Sequence, residues 1–156
     1  LFFRGRWQRN AKLSSLRKLI TFDLTHTSIL STKTERLAKK KTSKVSLKKV
    51  VIDAILDKKG NDVVSLDLRK IKDTPSEFLI ITHGDSNTHV KAICDNVIEE
   101  TREAGFPVYH TEGQKNGEWI IVDYVDVTVH IFYRDKRDFY ALEELWNDAK
   151  STSHKE

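Results

Sequence analysis

The chain has 156 residues, 27 Lys+Arg, 23 Asp+Glu and one cysteine, Cys94. That length allows one domain plus an appendage, a lone cysteine excludes an internal disulfide, and no apolar run approaches the ~20 residues of a membrane span. The net charge of +4 averages two unlike halves. Residues 1–44 hold 12 of the basic residues against only Asp23 and Glu35, whereas residues 45–156 hold 15 basic and 21 acidic residues. The overall basicity is therefore no argument for nucleic-acid binding by the folded part, whose acidity points to a basic partner.

Residues 1–44 show no sustained apolar period and contain the cationic run "KTERLAKKKTSK". They are expected to be a basic, disordered N-terminal extension outside the fold. Arg4, Arg6, Arg9, Lys12, Arg17 and Lys18 also suit an organellar transit peptide, although "LFFRGRW" lacks the usual serine-rich amphipathic order. A stretch translated from a misplaced start is the third reading. The corresponding localisation is cytoplasmic, or mitochondrial or plastid if the segment is a transit peptide.

From Val45 the pattern becomes regular. Ser46 is placed to cap a helix carrying Leu47, Val50, Val51, Ala54 and Ile55, with Gly60 as its stop. Two strands follow, "DVVSLDL" (62–68) and "SEFLIITH" (76–83), separated by a turn around Pro75. Val90, Ile93, Val97, Ile98 and Ala104 mark a second helix ended by Gly105 and Pro107. "PVYHTE" reads as a short strand, then "GEWIIVDYVDVTVHIF" as two strands about a turn, and two short helices carry Phe139, Tyr140, Leu142, Leu145 and Trp146. The order α-β-β-α-β-β-β-α predicts a single α/β domain, a mixed β-sheet with packed helices, over 45–149, with a polar C-terminal tail over 150–156.

Three constellations could carry function. "HGDSNTHVK" runs from a strand end into a helix N-terminus, where Gly84, Ser86 and Asn87 could hold an anion, but capping by Asp85 or Ser86 is the simpler reading. Asp123 and Asp126, with Asp67 or Asp85, could chelate a metal, yet a spacing of three across a tight turn makes them flank it instead. His83, His89, His110 and His130 lack zinc spacing. The third constellation is a protein-binding face. Alternation puts Trp119, Ile121 and Asp123 on one side of a strand, and the turn is expected to present Tyr124 and Asp126 beside them, with His130 on the neighbouring strand. Helices covering both faces of the sheet would remove that surface.

"VVSLDLRKI", "SEFLIITHGDSNTHVKAICDNVIEE", "TEGQKNGEWIIVDYVDVTVHIF" and "RDFYALEELWNDA" together resemble the ribosomal silencing factors, also called the Iojap family. The resemblance runs from about Val45 to Ala149. It implies a nucleotidyltransferase-like fold without the catalytic carboxylate pattern, no cofactor and no reaction. It further implies binding to the large ribosomal subunit through ribosomal protein L-fourteen, which blocks subunit joining and represses translation when nutrients are short. Organellar relatives take part in large-subunit assembly. The docking residues expected are Trp119, Ile121, Asp123, Tyr124, Asp126 and His130, with monomer or homodimer left open. The family usually has glycine where Val125 stands, and often a small residue or threonine where Asp85 stands. The turn here must therefore be of another type, or strained. The alternative of another class is a nucleotide-binding or nucleotidyltransferase-like enzyme using Gly84, Ser86 and Asp126.

Overall fold

The computed structural model describes residues 46–155, and the extension expected over 1–44 lies outside the described residues. Helix α1 spans Leu47–Asp57 and buries Val51, Ile52, Ala54 and Ile55 on one face. Ser46 is its N-cap, through its backbone carbonyl rather than its side chain. The helix end differs from expectation. Lys59, not Gly60, takes the left-handed conformation (φ 55°), and Lys59 and Gly60 N–H groups donate to the Leu56 and Ile55 carbonyls. Gly60 is needed for space instead, since a Cβ there would lie 2.4 Å from Ile55 Cγ2.

Strands β1 (Asn61–Asp67) and β2 (Phe78–Gly84) pair antiparallel. Helix α2 (Asn87–Glu103) buries Val90, Ile93, Cys94 and Val97 and ends as expected, with Gly105 at φ 84° and the Phe106 N–H reaching back to the Thr101 carbonyl. Strands β3 (His110–Glu112), β4 (Trp119–Asp123) and β5 (Val127–Tyr133) form an antiparallel meander, and β5 returns to lie parallel to β2. Two short helices follow, α3 (Arg134–Tyr140) and α4 (Leu142–Leu145).

The chain then departs from the predicted order. Lys150–His154, expected to be a polar tail, is a further strand, β6, antiparallel to β1. The sheet order is β3-β4-β5-β2-β1-β6, a mixed six-stranded sheet. "KSTSH" contains no apolar residue, so its strand character is invisible to apolar alternation. Backbone pairing with β1 and the Ser65 Oγ–His154 Nε2 contact (2.8 Å) hold it.

One face of the sheet packs on α1 and α2 through Ile80, Ile120, Val122, Val127, Val129 and Ile131. The Asn96 side chain, which donates to the Ala54 carbonyl at 2.9 Å, ties the two helices together. The other face carries Leu66, Leu79, Ile81, His83, Phe132 and Trp119. From α3, which touches this face through Tyr140 and Arg137, the chain must pass β2 and β1 to reach β6, and on the way it buries Leu142, Leu145 and Trp146. Among the described residues, the C-terminal segment thus closes the inner part of the second face and leaves the β3–β4 part open.

Candidate functional site: an aromatic and acidic sheet face

The open part of the face is built by strand register. Asp123 stands opposite His110 and Thr128, Ile121 opposite Glu112 and His130, and Trp119 opposite Phe132. Side chains directly opposite share a face. Trp119, Ile121 and Asp123 are half-buried, while Ile120 and Val122 between them are fully buried beneath the helices. The alternation expected for β4 is what the structure shows.

Trp119 packs against two rings. Its centroid is 5.0 Å from Phe132, stacked, and 4.6 Å from Tyr140, and Phe139 meets Tyr140 edge-on. Phe139 is 57% exposed, so the row Phe139–Tyr140–Trp119 runs from solvent into the sheet. Glu112 and His110 (Nε2–Oε1 2.9 Å) and the Glu118–Lys136 pair (3.2 Å) bring charge to β3 and β4. This combination of aromatics with a charged margin is the anatomy of a protein-recognition patch.

Not every expected docking residue joins it. His130 is only 1% exposed and lies behind Trp119, whose indole N–H donates to His130 Nδ1 at 3.1 Å. Nδ1 therefore carries no proton and the neutral ring places its hydrogen on Nε2, which has no partner among the described residues. Burial depresses the imidazole to about 3. His130 supports Trp119 and cannot itself meet a partner. Tyr124 points to the other side of the sheet: it is 8% exposed, belongs to the cluster under the helices, and its hydroxyl pairs with Thr101 Oγ1 at 2.8 Å. Burial pushes its phenol up to about 12. Asp126 is exposed at the turn, and its carbonyl accepts the Glu77 and Phe78 N–H groups.

The turn itself is strained. The Asp126 N–H donates to the Tyr124 carbonyl at 3.0 Å around Val125, whose φ is 75°, the pattern of a γ-turn. Asp123 Oδ1 braces it by accepting the Val125 N–H at 2.7 Å. With one carboxylate spent on the turn, Asp123 and Asp126 flank it. Among the described residues no three of His, Cys, Asp and Glu are grouped to hold a metal ion.

The "HGDSNTHVK" segment is a cap. Ser86 Oγ accepts the His89 N–H at 3.1 Å, and Asp85 pairs with Arg134. The residues of the nucleotide-enzyme alternative do not converge. Gly84 closes β2 while Asp126 precedes β5, and in the parallel register Phe78 meets Val127 and Gly84 meets Tyr133. Six residues at ~3.3 Å each put Gly84 about 20 Å from the Asp126 end.

Tyr140 and Phe139 are residues of this candidate face that periodicity did not assign to it. The available signal is topological, because a segment leaving β5 must fold over the face that α1 and α2 leave free.

With this geometry in view, comparison with known proteins is specific. The family described as "Ribosomal silencing factor during starvation" matches residues 39–156. A ribosomal silencing factor of Chromobacterium violaceum is 38% identical over 104 residues, covering 67% of this chain and 84% of that protein. The chloroplastic protein Iojap of Zea mays is 32% identical over 91 residues, 58% of this chain and 39% of that protein. A crystal structure of a Chromobacterium violaceum protein superposes with a TM-score of 0.63 at 36% identity, covering 70% of this chain and 91% of that one.

Proposed function

We propose, because this chain belongs to the ribosomal silencing factor family, that it binds the large ribosomal subunit through ribosomal protein L-fourteen and blocks subunit joining by occupying space. Translation is thereby repressed when nutrients are short. The observation that carries the reading is the β3–β4 face that the described residues leave uncovered, where Trp119, Ile121 and Phe139 offer apolar area and Asp123 and Glu112 offer negative charge. A basic ribosomal protein would set its apolar contacts on the rings and its cations at the acids. The role requires no bound cofactor and no chemical step.

Sedimentation of the full chain with purified subunits tests this. The chain should travel with large subunits and reduce joining of added small subunits. Ile121→Arg should weaken large-subunit binding about 30-fold, the equivalent of ~2 kcal/mol at a central contact, with an unchanged melting temperature. Travel with small subunits alone, or undiminished joining, would refute the reading. A homodimer using this same face would show as a concentration-dependent mass that Ile121→Arg abolishes.

A further inference from the structure

The opposite edge of the sheet differs in charge. Lys150 on β6 stands directly across from Asp67 on β1, and Asp67 across from Phe78 on β2. Over the Phe78 ring sit both Lys48 Nζ (5.0 Å from the centroid) and the Arg69 guanidinium (4.8 Å). Asp67 holds Arg69 in place by two contacts, Nε–Oδ1 at 2.9 Å and Nη2–Oδ2 at 2.6 Å. Two shallow depressions of about 300 Å³ flank this row. Lys48, His154 and the ion pair of Lys49 with Asp53 (2.5 Å) contribute to one, and Asp67, Lys70, Asp148 and Lys150 to the other. The folded part as a whole has more acids than bases, yet Lys48, Arg69, Lys70 and Lys150 lie along this edge around Asp67, with Asp148 beside the last two.

We propose that this β1–β6 edge, with Lys48, Arg69, Lys70 and Lys150, is a binding surface for the phosphate backbone of RNA. Backbone recognition needs several cations at fixed spacing, helped by hydroxyls and free N–H groups. Lys48 and Arg69 are fixed by the Phe78 ring and by Asp67. Ser151, Thr152 and Ser153 are exposed on β6, an edge strand whose outer side has no neighbour in the sheet among the described residues. Lys48 is also placed against its own interest: partial burial, then the like charges of Arg69 and Lys150, lower its pKa despite Asp67. A phosphate beside it would relieve that repulsion. An edge lysine that merely prevents strand pairing accounts for Lys150, but not for Lys48 and Arg69 gathered on one ring two strands inside.

The inference rests on the proposed large-subunit reading only for the source of the RNA. The edge lies at the other end of the strand order from β3–β4, so one domain could hold a ribosomal protein with one end and ribosomal RNA with the other.

The test compares the full chain with a Lys48→Gln, Lys150→Gln double variant and a Lys58→Gln, Lys59→Gln control of equal charge. Binding to large subunits and to their protein-free RNA is measured between 50 and 200 mM salt. Each lost phosphate contact should flatten the plot of log affinity against log salt by about 0.7 to 0.9. The double variant should therefore lose about 1.5 from the slope and about tenfold in affinity at the lowest salt, with the control unchanged. Residues 1–44 are common to all three proteins and cancel. If large subunits do not bind but protein-free RNA does, with the slope loss confined to the double variant, the large-subunit reading falls and the RNA surface stands. Equal slopes in all three proteins, an equal loss in the control, or no binding of protein-free RNA overturns the surface.

Discussion

Single residues in this protein carry opposing demands. Val125 holds φ at 75°, where a β-branched side chain is strongly disfavoured, and stays there because Asp123 Oδ1 and the γ-turn hydrogen bond fix its backbone. Val125→Gly should raise stability by about 1 kcal/mol in urea unfolding, strain relief exceeding the added chain entropy. No gain, or a loss, would show that the turn is unstrained. His130 gives a second prediction. An ordinary histidine titrates near 6.5 and this one near 3, so the unfolded chain binds the proton more readily than the folded one. The resulting stability is present above pH 6.5 and declines as pH falls toward 3, by about 3 kcal/mol at pH 4. His83, lowered by burial and then by the Arg137 guanidinium, adds loss in the same direction. His130→Asn, which keeps an acceptor near the indole N–H, should flatten the stability difference between pH 7 and pH 4. Trp119→Ala should cost about 2 kcal/mol in its own right, because the indole stacks on Phe132 and meets Tyr140 at a tilt. Any binding loss in that variant therefore mixes folding with docking, and Ile121 is the cleaner probe.

Among the elements, those with an apolar period were legible and those without were not. Helices α1 and α2 announced themselves through four buried apolar positions each, and β4 through its alternation. Gly105 was readable as a stop because only a left-handed residue completes that cap, whereas Lys59 gave no comparable signal. The site was half legible: alternation placed Trp119, Ile121 and Asp123 together, but it cannot say which face a turn residue such as Tyr124 adopts, nor that a ring will cover His130. Strand β6 was hidden, since its five residues carry no apolar alternation and are held by backbone pairing and one polar side-chain contact. Ending the chain at Ala149 should lower the unfolding midpoint, by removing the β1–β6 ladder and the Ser65–His154 contact, and bare the β1 edge to other chains. Light scattering of the shortened protein should then rise with concentration. An unchanged midpoint would mean that β6 contributes nothing to the domain.

Across the whole molecule, the sheet joins distant parts of the sequence. The central pair β2–β5 is parallel and encloses α2, β3 and β4, so its partners are far apart along the chain, and Ser65 meets His154 across 89 positions. Neighbouring pairs such as β4–β5 are separated only by a three-residue turn. Such a connectivity has kinetic meaning, because the entropy of closing long loops is lost before the contacts that repay it form. Refolding after dilution from urea should therefore begin with the β4–β5 hairpin and the two long helices and be limited by registering β2 on β5. Ile80→Val, at the centre of that pair, should slow refolding. Ser153→Ala, on the last strand to dock, should leave the refolding rate alone and act, if at all, on the rate of unfolding.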